Sequence, residues 1–141
     1  MGAFLIRNYI MNKTESYIEA VTEFLAKPRK VSVAGLVEDE EHFYLEGHKF
    51  LVSESEFSNV MTLTKTRRLS IRSCDFPNLG ILNVMYEPDF WNRTDDSDSR
   101  IEACYKLAST FIKDMLPKVD YRFRKQMHND EVERLLEALE G

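Results

Sequence analysis

The stretch that decides the fold begins with Val31-Ser-Val-Ala-Gly-Leu-Val37 and ends with Ile81-Leu-Asn-Val-Met-Tyr86. Between these two segments, short runs of β-branched and aromatic residues alternate with turn residues, which is typical of successive β-strands. Gly47 separates two such runs, residues 42–46 and 49–52, and it tolerates the positive φ that a tight hairpin requires. Residues 31–86 therefore predict four or five strands, and their short connections favour antiparallel pairing.

The clearest alternation in this block runs from residue 61 to residue 73. One parity is mostly apolar and the other is polar: Met61, Leu63, Leu69 and Ile71 against Thr62, Thr64, Thr66, Arg68, Ser70 and Arg72. A period of two places one face of a strand on the core and the other in water. Lys65 and Arg67 interrupt the apolar parity, so the stretch is either one long strand or two strands that turn there. Residues 81–86 are apolar on both parities apart from Asn83, which predicts the central strand of the sheet.

Helical spacing of apolar residues occurs on both sides of the strand block. Residues 14–26 predict an N-terminal helix that ends before Pro28, and residues 99–116 predict a longer helix that Pro117 stops. The expected fold is α+β, with a single antiparallel sheet of residues 31–86 covered on one face by these two helices.

The segments outside these strands and helices have weaker patterns. Residues 53–59 interrupt the strand block and predict one helical turn, because Ser53 and Glu56 have the spacing of a capping box. Residues 118–128 fit either a strand or a helix, and Asn129 is the expected cap of a final helix. Residues 1–11 are apolar without a period, which fits a flexible leader, an extra strand or a helical extension.

Length and composition predict one domain spanning residues 1–141, with residues 118–141 as a C-terminal tail or helix. Apolar residues make up 43% of the chain and charged residues 30%, and no apolar run approaches the ~18 residues of a membrane span. Two cysteines without a secretory signal predict free thiols and a cytoplasmic location.

The net charge of −5 conceals a segregation of acidic and basic residues. Residues 38–58 carry seven acidic residues against one lysine, Lys49, whereas residues 61–73 carry four basic residues and no acid. Neighbouring segments of opposite charge can pair across a sheet. Because phosphate binding usually requires a dominant basic field, the acidic total predicts that nucleic acid is not the main partner.

Residues capable of catalysis are few and scattered. His42 and His48 flank the predicted hairpin without a third metal ligand, and Cys74 has Arg72 but no histidine near it in the sequence. Cys104 lies on the apolar stripe of the helix at 99–116, where a small buried thiol is an ordinary core residue. The chain contains no glycine-rich phosphate loop and no G-x-S-x-G segment. These patterns predict a protein with no catalytic residue, no metal and no cofactor.

Two groups of residues are candidates for partner binding. Tyr86, Phe90 and Trp91 lie at or beside a polar loop of residues 87–98. Their side chains either pack beneath the loop or are presented to a partner, and tryptophan is frequent among interface hot spots. Arg68 and Arg72 belong to the threonine-arginine parity of residues 62–72, which suits either phosphate contacts or a solvated sheet.

The order of elements over residues 13–116 resembles that of type III secretion chaperones, small acidic dimers that bind extended segments of their clients. It is also similar to that of phage tail-terminator proteins, which pair a strand meander with a helix after a polar loop. Both resemblances rest on element order and transfer no functional residue. The leading prediction is a non-enzymatic protein-binding or assembly protein, such as a chaperone, an inhibitor or a structural subunit, that binds another protein and forms a homodimer or higher oligomer. The alternatives are a nucleic-acid-binding domain that uses residues 62–72 and, third, a small enzyme.

Overall fold

The computed structural model describes residues 13–33, 40–88 and 98–140, and these form the α+β architecture that the sequence predicts. Its helices are α1 (Lys13–Ala26), α2 (Asp98–Thr110), α3 (Leu116–Val119) and α4 (Tyr121–Glu140), with a π-helical turn at Phe111–Met115 and a 3-10 turn at Pro77–Leu79. Its strands are β1 (Ser32–Val33), β2 (Glu41–Leu45), β3 (His48–Asn59), β4 (Thr64–Ser73) and β5 (Ile81–Tyr86).

The five strands form one mixed sheet, so the prediction of a purely antiparallel sheet is wrong for one strand. β1 pairs in parallel with β3, with Ser32 opposite Ser55, while the β2–β3, β3–β4 and β4–β5 pairs are antiparallel. β1 and β2 pair with successive parts of β3, on the side away from β4. A tight turn fixes the direction of pairing only for the strands it joins, and β2 intervenes between β1 and β3.

The predicted hairpin around Gly47 is confirmed. Glu46 and Gly47 both have positive φ, 51° and 83°, and the strands on either side are in register with Leu45 opposite His48. Two consecutive positive φ values are the requirement of a type I′ turn, whose twist matches that of the strands it connects.

Residues 53–59 continue β3 and do not form the predicted helical turn. All ten pairs from Phe50–Ser73 to Asn59–Thr64 link β3 to β4. The spacing of a capping box is a local signal, and the ladder of backbone hydrogen bonds to β4 overrides it. β4 is a single strand that begins at Thr64, after a turn at residues 60–63.

β5 lies at the edge of the sheet within the described residues, where β4 is its one paired neighbour. The prediction that residues 81–86 form the central strand is therefore wrong. A strand that is apolar on both faces fits a central position, but it fits equally well an edge that another chain covers. β3 and β4 are the central strands of this sheet.

α1 and α2 cover one face of the sheet, as predicted, and the hydrophobic core lies between them and the strands. The rings of Phe43, Phe50 and Phe111 form its centre. Phe50 and Phe111 meet edge to face with their centroids 4.7 Å apart, a favourable geometry for two aromatic rings. Leu69 and Ile71 of β4 are fully buried against the same helices.

The helical path continues past Pro117, so the prediction that this residue ends the helix at 116 is wrong. The π-helical turn precedes α3, and the Leu116 N–H donates to the Phe111 carbonyl, five residues back. Pro117 then occupies the first turn of α3, where proline is tolerated because the N–H of that turn needs no helical acceptor. The chain turns at Asp120, and α4 starts at Tyr121, well before the predicted cap at Asn129.

Candidate functional site

The sheet has two faces of different character. On β3, Phe50, Val52 and Glu54 point towards the helices and are buried. Side chains of the opposite parity form the second face, which we call the open face because its outermost side chains are exposed. By strand pairing, the open face comprises His42, Tyr44, Leu51, Ser53, Ser55, Phe57, Thr66, Arg68, Ser70, Arg72, Ile81, Asn83 and Met85.

The floor of the open face is made of small polar residues on the two central strands. Ser53 and Ser55 of β3 and Ser70 of β4 are buried there. A pocket lies at this floor, and its lining includes Ser53 and Ser70 together with Glu40, Leu51, Asn83, Arg68 and Arg72. The strand register thus brings the two predicted arginines to one site.

Both arginines on the open face have partners there. Arg72 donates to both carboxylate oxygens of Glu40, with Nη2 2.7 Å from Oε2 and 2.9 Å from Oε1. The guanidinium of Arg68 lies over the ring of Phe57, 5.0 Å from its centroid, in a cation–π contact. Since Glu40 balances the charge of Arg72, the positive potential of this face is smaller than the basic sequence of residues 61–73 suggests.

Exposed apolar side chains lie at both ends of the open face. Tyr44 on β2 is 68% exposed, and Ile81 and Met85 on β5 are each 59% exposed. Arginine, methionine and tyrosine are enriched in protein–protein interfaces relative to the rest of the surface. The open face therefore combines an apolar rim, two guanidinium groups and a floor of small polar side chains.

The helix-covered face holds a buried ion pair that the sequence analysis missed. Glu54 and Arg100 are both almost fully inaccessible, with Arg100 Nη2 3.1 Å from Glu54 Oε1, and the Tyr86 hydroxyl donates to Glu54 Oε2 at 2.8 Å. Arg100 also donates to three carbonyls at the end of α1, those of Leu25, Ala26 and Lys27. A guanidinium at a helix C-terminus interacts favourably with the helix dipole. The buried cluster of Glu54, Arg100 and Tyr86 therefore connects α1, β3 and α2.

A signal for this buried pair was present in the sequence. Glu54 has the parity of Phe50 and Val52, and Arg100 has the helical phase of Cys104 and Leu107. A charged residue in phase with a core stripe predicts a buried partner of opposite charge, because an unpaired buried charge is too unfavourable.

Tyr86 belongs to this buried group, so its side chain presents little surface to a partner. Burial and then the neighbouring carboxylate of Glu54 raise the pKa of Tyr86 to about 12. The burial of Tyr86 therefore argues against its predicted role in partner binding. Burial also raises the pKa of the Cys104 thiol, which is consistent with the core position predicted for that residue.

His42 and His48 point to opposite faces of the sheet and do not approach each other, because their partners in the hairpin are Leu51 and Leu45. His48 instead lies between two carboxylates, with Nε2 2.9 Å from Asp120 Oδ2 and Nδ1 3.9 Å from Asp75 Oδ2. Within residues 13–33, 40–88 and 98–140, no group of three His, Cys, Asp or Glu side chains is placed to hold a metal ion.

Asp120 fastens the start of α4 to the hairpin. Its carboxylate accepts hydrogen bonds from the backbone N–H and the guanidinium of Arg122, at 2.9 Å and 2.7 Å, and it contacts His48. The hydrogen bond from Arg122, followed by that from His48, holds the pKa of Asp120 well below its usual range. This is the geometry of a helix N-cap, and it makes the pair of His48 and Asp120 a junction between elements.

α4 carries a second exposed apolar surface. Its buried residue Phe123 packs on the ring of Tyr17, 5.0 Å between centroids, and Arg134 forms an ion pair with Glu15 of α1. Beyond this contact four apolar residues at helical spacing are exposed: Val132, Leu135, Leu136 and Leu139.

Phe90 and Trp91, the two remaining predicted partner-binding residues, lie outside the described residues. No helix in the described part of the chain combines the length and the apolar composition that a membrane span requires. No protein-family model, no curated protein and no solved structure matches this chain, so the geometry of the open face and of the sheet edges carries the functional interpretation.

Proposed function

We propose that this chain is a non-enzymatic protein-binding or assembly protein that binds its partner through the open face. The observation that supports this most directly is the exposure of Tyr44, Ile81 and Met85 on the same face as Arg68 and Arg72. Exposed apolar residues scattered singly over a surface need no explanation, but a group of them on one flat face marks an interaction site.

The dimensions of this face suit a protein partner. Tyr44 and Met85 lie on β2 and β5, with β3 and β4 between them. Neighbouring strands are ~4.8 Å apart, so the apolar rim spans roughly 14 Å across the sheet. An interface of standard size buries roughly 800 Å² on each partner, more than a small-molecule pocket offers. The small serine side chains between the two sides leave room for side chains of a protein partner.

Affinity capture with matched variants tests the proposal. The tagged protein is used to capture partners from its native host, which mass spectrometry identifies, and the purified partner is then titrated against each variant. We expect Tyr44→Ser and Arg68→Ser to weaken binding by about tenfold each, the effect of removing a hot-spot side chain. Glu102→Ser, an exposed position on α2, is the control and should bind as the parent does.

Equal binding by the parent and by both open-face variants would exclude the open face as the binding surface. The melting temperature of each variant is measured in parallel, so that a loss of binding caused by unfolding is recognised as such.

The loop of residues 87–98 follows β5 directly in the chain, so Phe90 and Trp91 remain candidates for the same partner. We expect Trp91→Ala to weaken association by at least ~1–2 kcal/mol and to leave the melting temperature nearly unchanged. A loss of ~3–5 kcal/mol in stability would instead identify Trp91 as a buried core residue and contradict its role as a binding residue.

A second candidate function is nucleic-acid binding by the threonine-arginine residues of β4. Arg68 and Arg72 lie on the open face with Ser53, Ser70 and Asn83, an arrangement that offers several donors to a phosphate. The pairing of Arg72 with Glu40 and the net charge of −5 favour a protein partner over a polyanion. Sub-micromolar binding of labelled DNA or RNA at physiological salt, with a steep dependence on salt concentration, would reverse this preference.

A further inference from the structure

Among the described residues no strand pairs with the outer edge of β5, and this edge differs from an ordinary exposed edge. Its six residues, Ile81–Tyr86, include no charged residue and no proline. Exposed edges in soluble proteins are usually short, charged or interrupted, because an unpaired row of N–H and C=O groups invites another strand. A continuous uncharged edge of this length is a site for strand pairing.

The side chains of β5 support the same interpretation. Ile81 and Met85 are exposed on the open face, and Leu82 and Val84 are only half buried on the helix-covered face. Tyr86 is the one buried residue of the strand. An additional strand along this edge would cover apolar side chains on both faces of the sheet at once.

We propose that β5 pairs antiparallel with β5 of a second copy of this chain, which joins the two sheets edge to edge. This inference deepens the proposed function, on which it rests, because it names a second copy as one partner of an assembly protein. β5 has no charged residue that would select an oppositely charged partner strand. Its uncharged, mostly apolar side chains can instead pair with the same side chains of a second copy.

The register of this pairing follows from symmetry. Residues directly opposite each other in an antiparallel pair point to the same face of the sheet. The two-fold axis must therefore pass between one residue and the same residue of the second copy. With the axis at Asn83, Ile81 lies opposite Met85 on the open face, and Leu82 lies opposite Val84 on the helix-covered face. Every apolar side chain of the strand centre then meets another apolar side chain.

The neighbouring symmetric register is less favourable. With the axis at Val84, Asn83 lies opposite Met85 and Glu87 lies opposite Ile81, which places a polar or charged side chain against each exposed apolar one. The register centred on Asn83 is therefore the one we infer.

The helix that packs on β5 also carries exposed apolar side chains. A two-fold axis perpendicular to the sheet keeps the helix layers of both copies on the same side of the joined sheet. α2 packs on β5, and it carries two exposed apolar side chains four residues apart, Ile101 and Tyr105. A strand of six residues buries less than the roughly 800 Å² per partner of a standard interface, so an adjacent helix contributes to a stable dimer.

Introducing a charge at the symmetry axis tests both the use of the β5 edge and the register of the inferred dimer. Asn83→Lys places two lysines opposite each other in the inferred dimer, and Asn83→Asp places two aspartates there. Because Asn83 is exposed in the single chain, neither change should disturb the fold. We expect the parent to have twice the mass of the chain in light scattering, and each variant alone to raise the dimer dissociation constant by about tenfold or more. An equimolar mixture of the two variants should restore the dimer.

Tyr44→Lys is the matched control, since it adds the same charge to the same face at the opposite side of the sheet and should leave the dimer intact. A parent that stays monomeric up to its solubility limit overturns the inference, as does a dimer that resists both Asn83 variants. If a monomeric parent still loses its captured partner on Arg68→Ser, this inference fails and the proposed function stands. The opposite outcome is a parent dimer that responds to both Asn83 variants, while partner capture is unchanged by Tyr44→Ser and Arg68→Ser. In that case this inference stands and the open face is excluded as the binding surface.

Discussion

The two faces of the sheet each carry an arginine–glutamate pair, in contrasting environments. Arg100 and Glu54 are 1% and 0% exposed, whereas Arg72 and Glu40 on the open face are 36% and 33% exposed. The exposed pair has the shorter contact, 2.7 Å against 3.1 Å. Distance alone would therefore rank the two pairs in the wrong order of importance.

Solvation explains the difference. Removing one partner of a buried pair leaves a charge without water or a counter-charge, which is destabilising by about 3–5 kcal/mol. Removing one partner of an exposed pair leaves a charge that water solvates, and such pairs contribute about 0–1 kcal/mol. The buried pair thus fixes the arrangement of α1, α2 and β3. The exposed pair can break at little cost, because water solvates both of its charges.

The largest effect is expected for Arg100→Met. The substitution leaves Glu54 buried without its main counter-charge and removes the hydrogen bonds that the guanidinium donates to the carbonyls of Ala26 and Lys27. We expect a loss of about 3–5 kcal/mol in the free energy of unfolding, measured by urea denaturation. Arg72→Met is the matched control and should lose no more than about 1 kcal/mol.

A double variant sharpens this result. Replacing Glu54 by Leu in the Arg100→Met background removes the stranded charge, so part of the lost stability should return. If Arg100→Met is as stable as the parent, Arg29, whose Nε lies 3.9 Å from Glu54, is sufficient as the counter-charge.

Phe111→Ala tests the apolar part of the helix-covered face. Phe111 is fully buried and contacts the rings of Phe43 and Phe50. The cavity left by the ring should destabilise the protein by about 3–5 kcal/mol. A urea midpoint unchanged from that of the parent would show that the Phe111 side chain is not part of the core.

A smaller, pH-dependent effect is expected at Tyr86. Its pKa of about 12 exceeds the ~10 of an unfolded tyrosine, so the folded state holds the phenol proton more tightly. The stability linked to this proton is complete below pH 10 and is lost as the pH rises towards 12. In an absorbance titration, Tyr86→Phe should have one fewer tyrosine that ionises near pH 12 than the parent has. The alkaline fall in stability should also be shallower in this variant, and an unchanged titration curve would contradict the buried hydrogen bond to Glu54.

The smallest effect on stability is expected for Arg72→Gln on the open face. We expect a change of at most ~1 kcal/mol, which should diminish further at high salt because the pair with Glu40 is partly exposed. A loss comparable to that of Arg100→Met would mean that the open face is as structural as the helix-covered face.

Most local features of the fold could be predicted from the sequence, and its non-local pairings could not. The hairpin at Gly47, the helix at 14–26 and the start of the helix predicted at 99–116 each rest on a pattern within a few neighbouring residues, and these are confirmed. Two local signals are overridden by the rest of the fold: the capping-box spacing in residues 53–59 and the predicted helix end at Pro117. The parallel pairing of β1 with β3 and the edge position of β5 depend on which strands meet in space. Residue periodicity carries little information about either.

The candidate site follows the same division. The alternation of residues 62–72 places Arg68 and Arg72 on one face, as predicted. Proximity in sequence associates Tyr86 with Phe90 and Trp91, yet its hydrogen-bond partner Glu54 is 32 residues away. Only the pairing of β3 with β4, and of β4 with β5, brings Tyr86 and Glu54 together.

The π-helical turn at Phe111–Met115 also sets a rotational phase. Arg100, Cys104 and Leu107 are buried before the turn, and Ile112, Leu116 and Val119 repeat their spacing exactly twelve residues later. Three turns of an α-helix contain about eleven residues, so the π turn supplies the extra one. If residues 111–115 formed a regular α-helix with no residue removed, every later side chain would be rotated by about 100° relative to the core. Leu116 and Val119 would then leave the core, and Asp120 would no longer face His48.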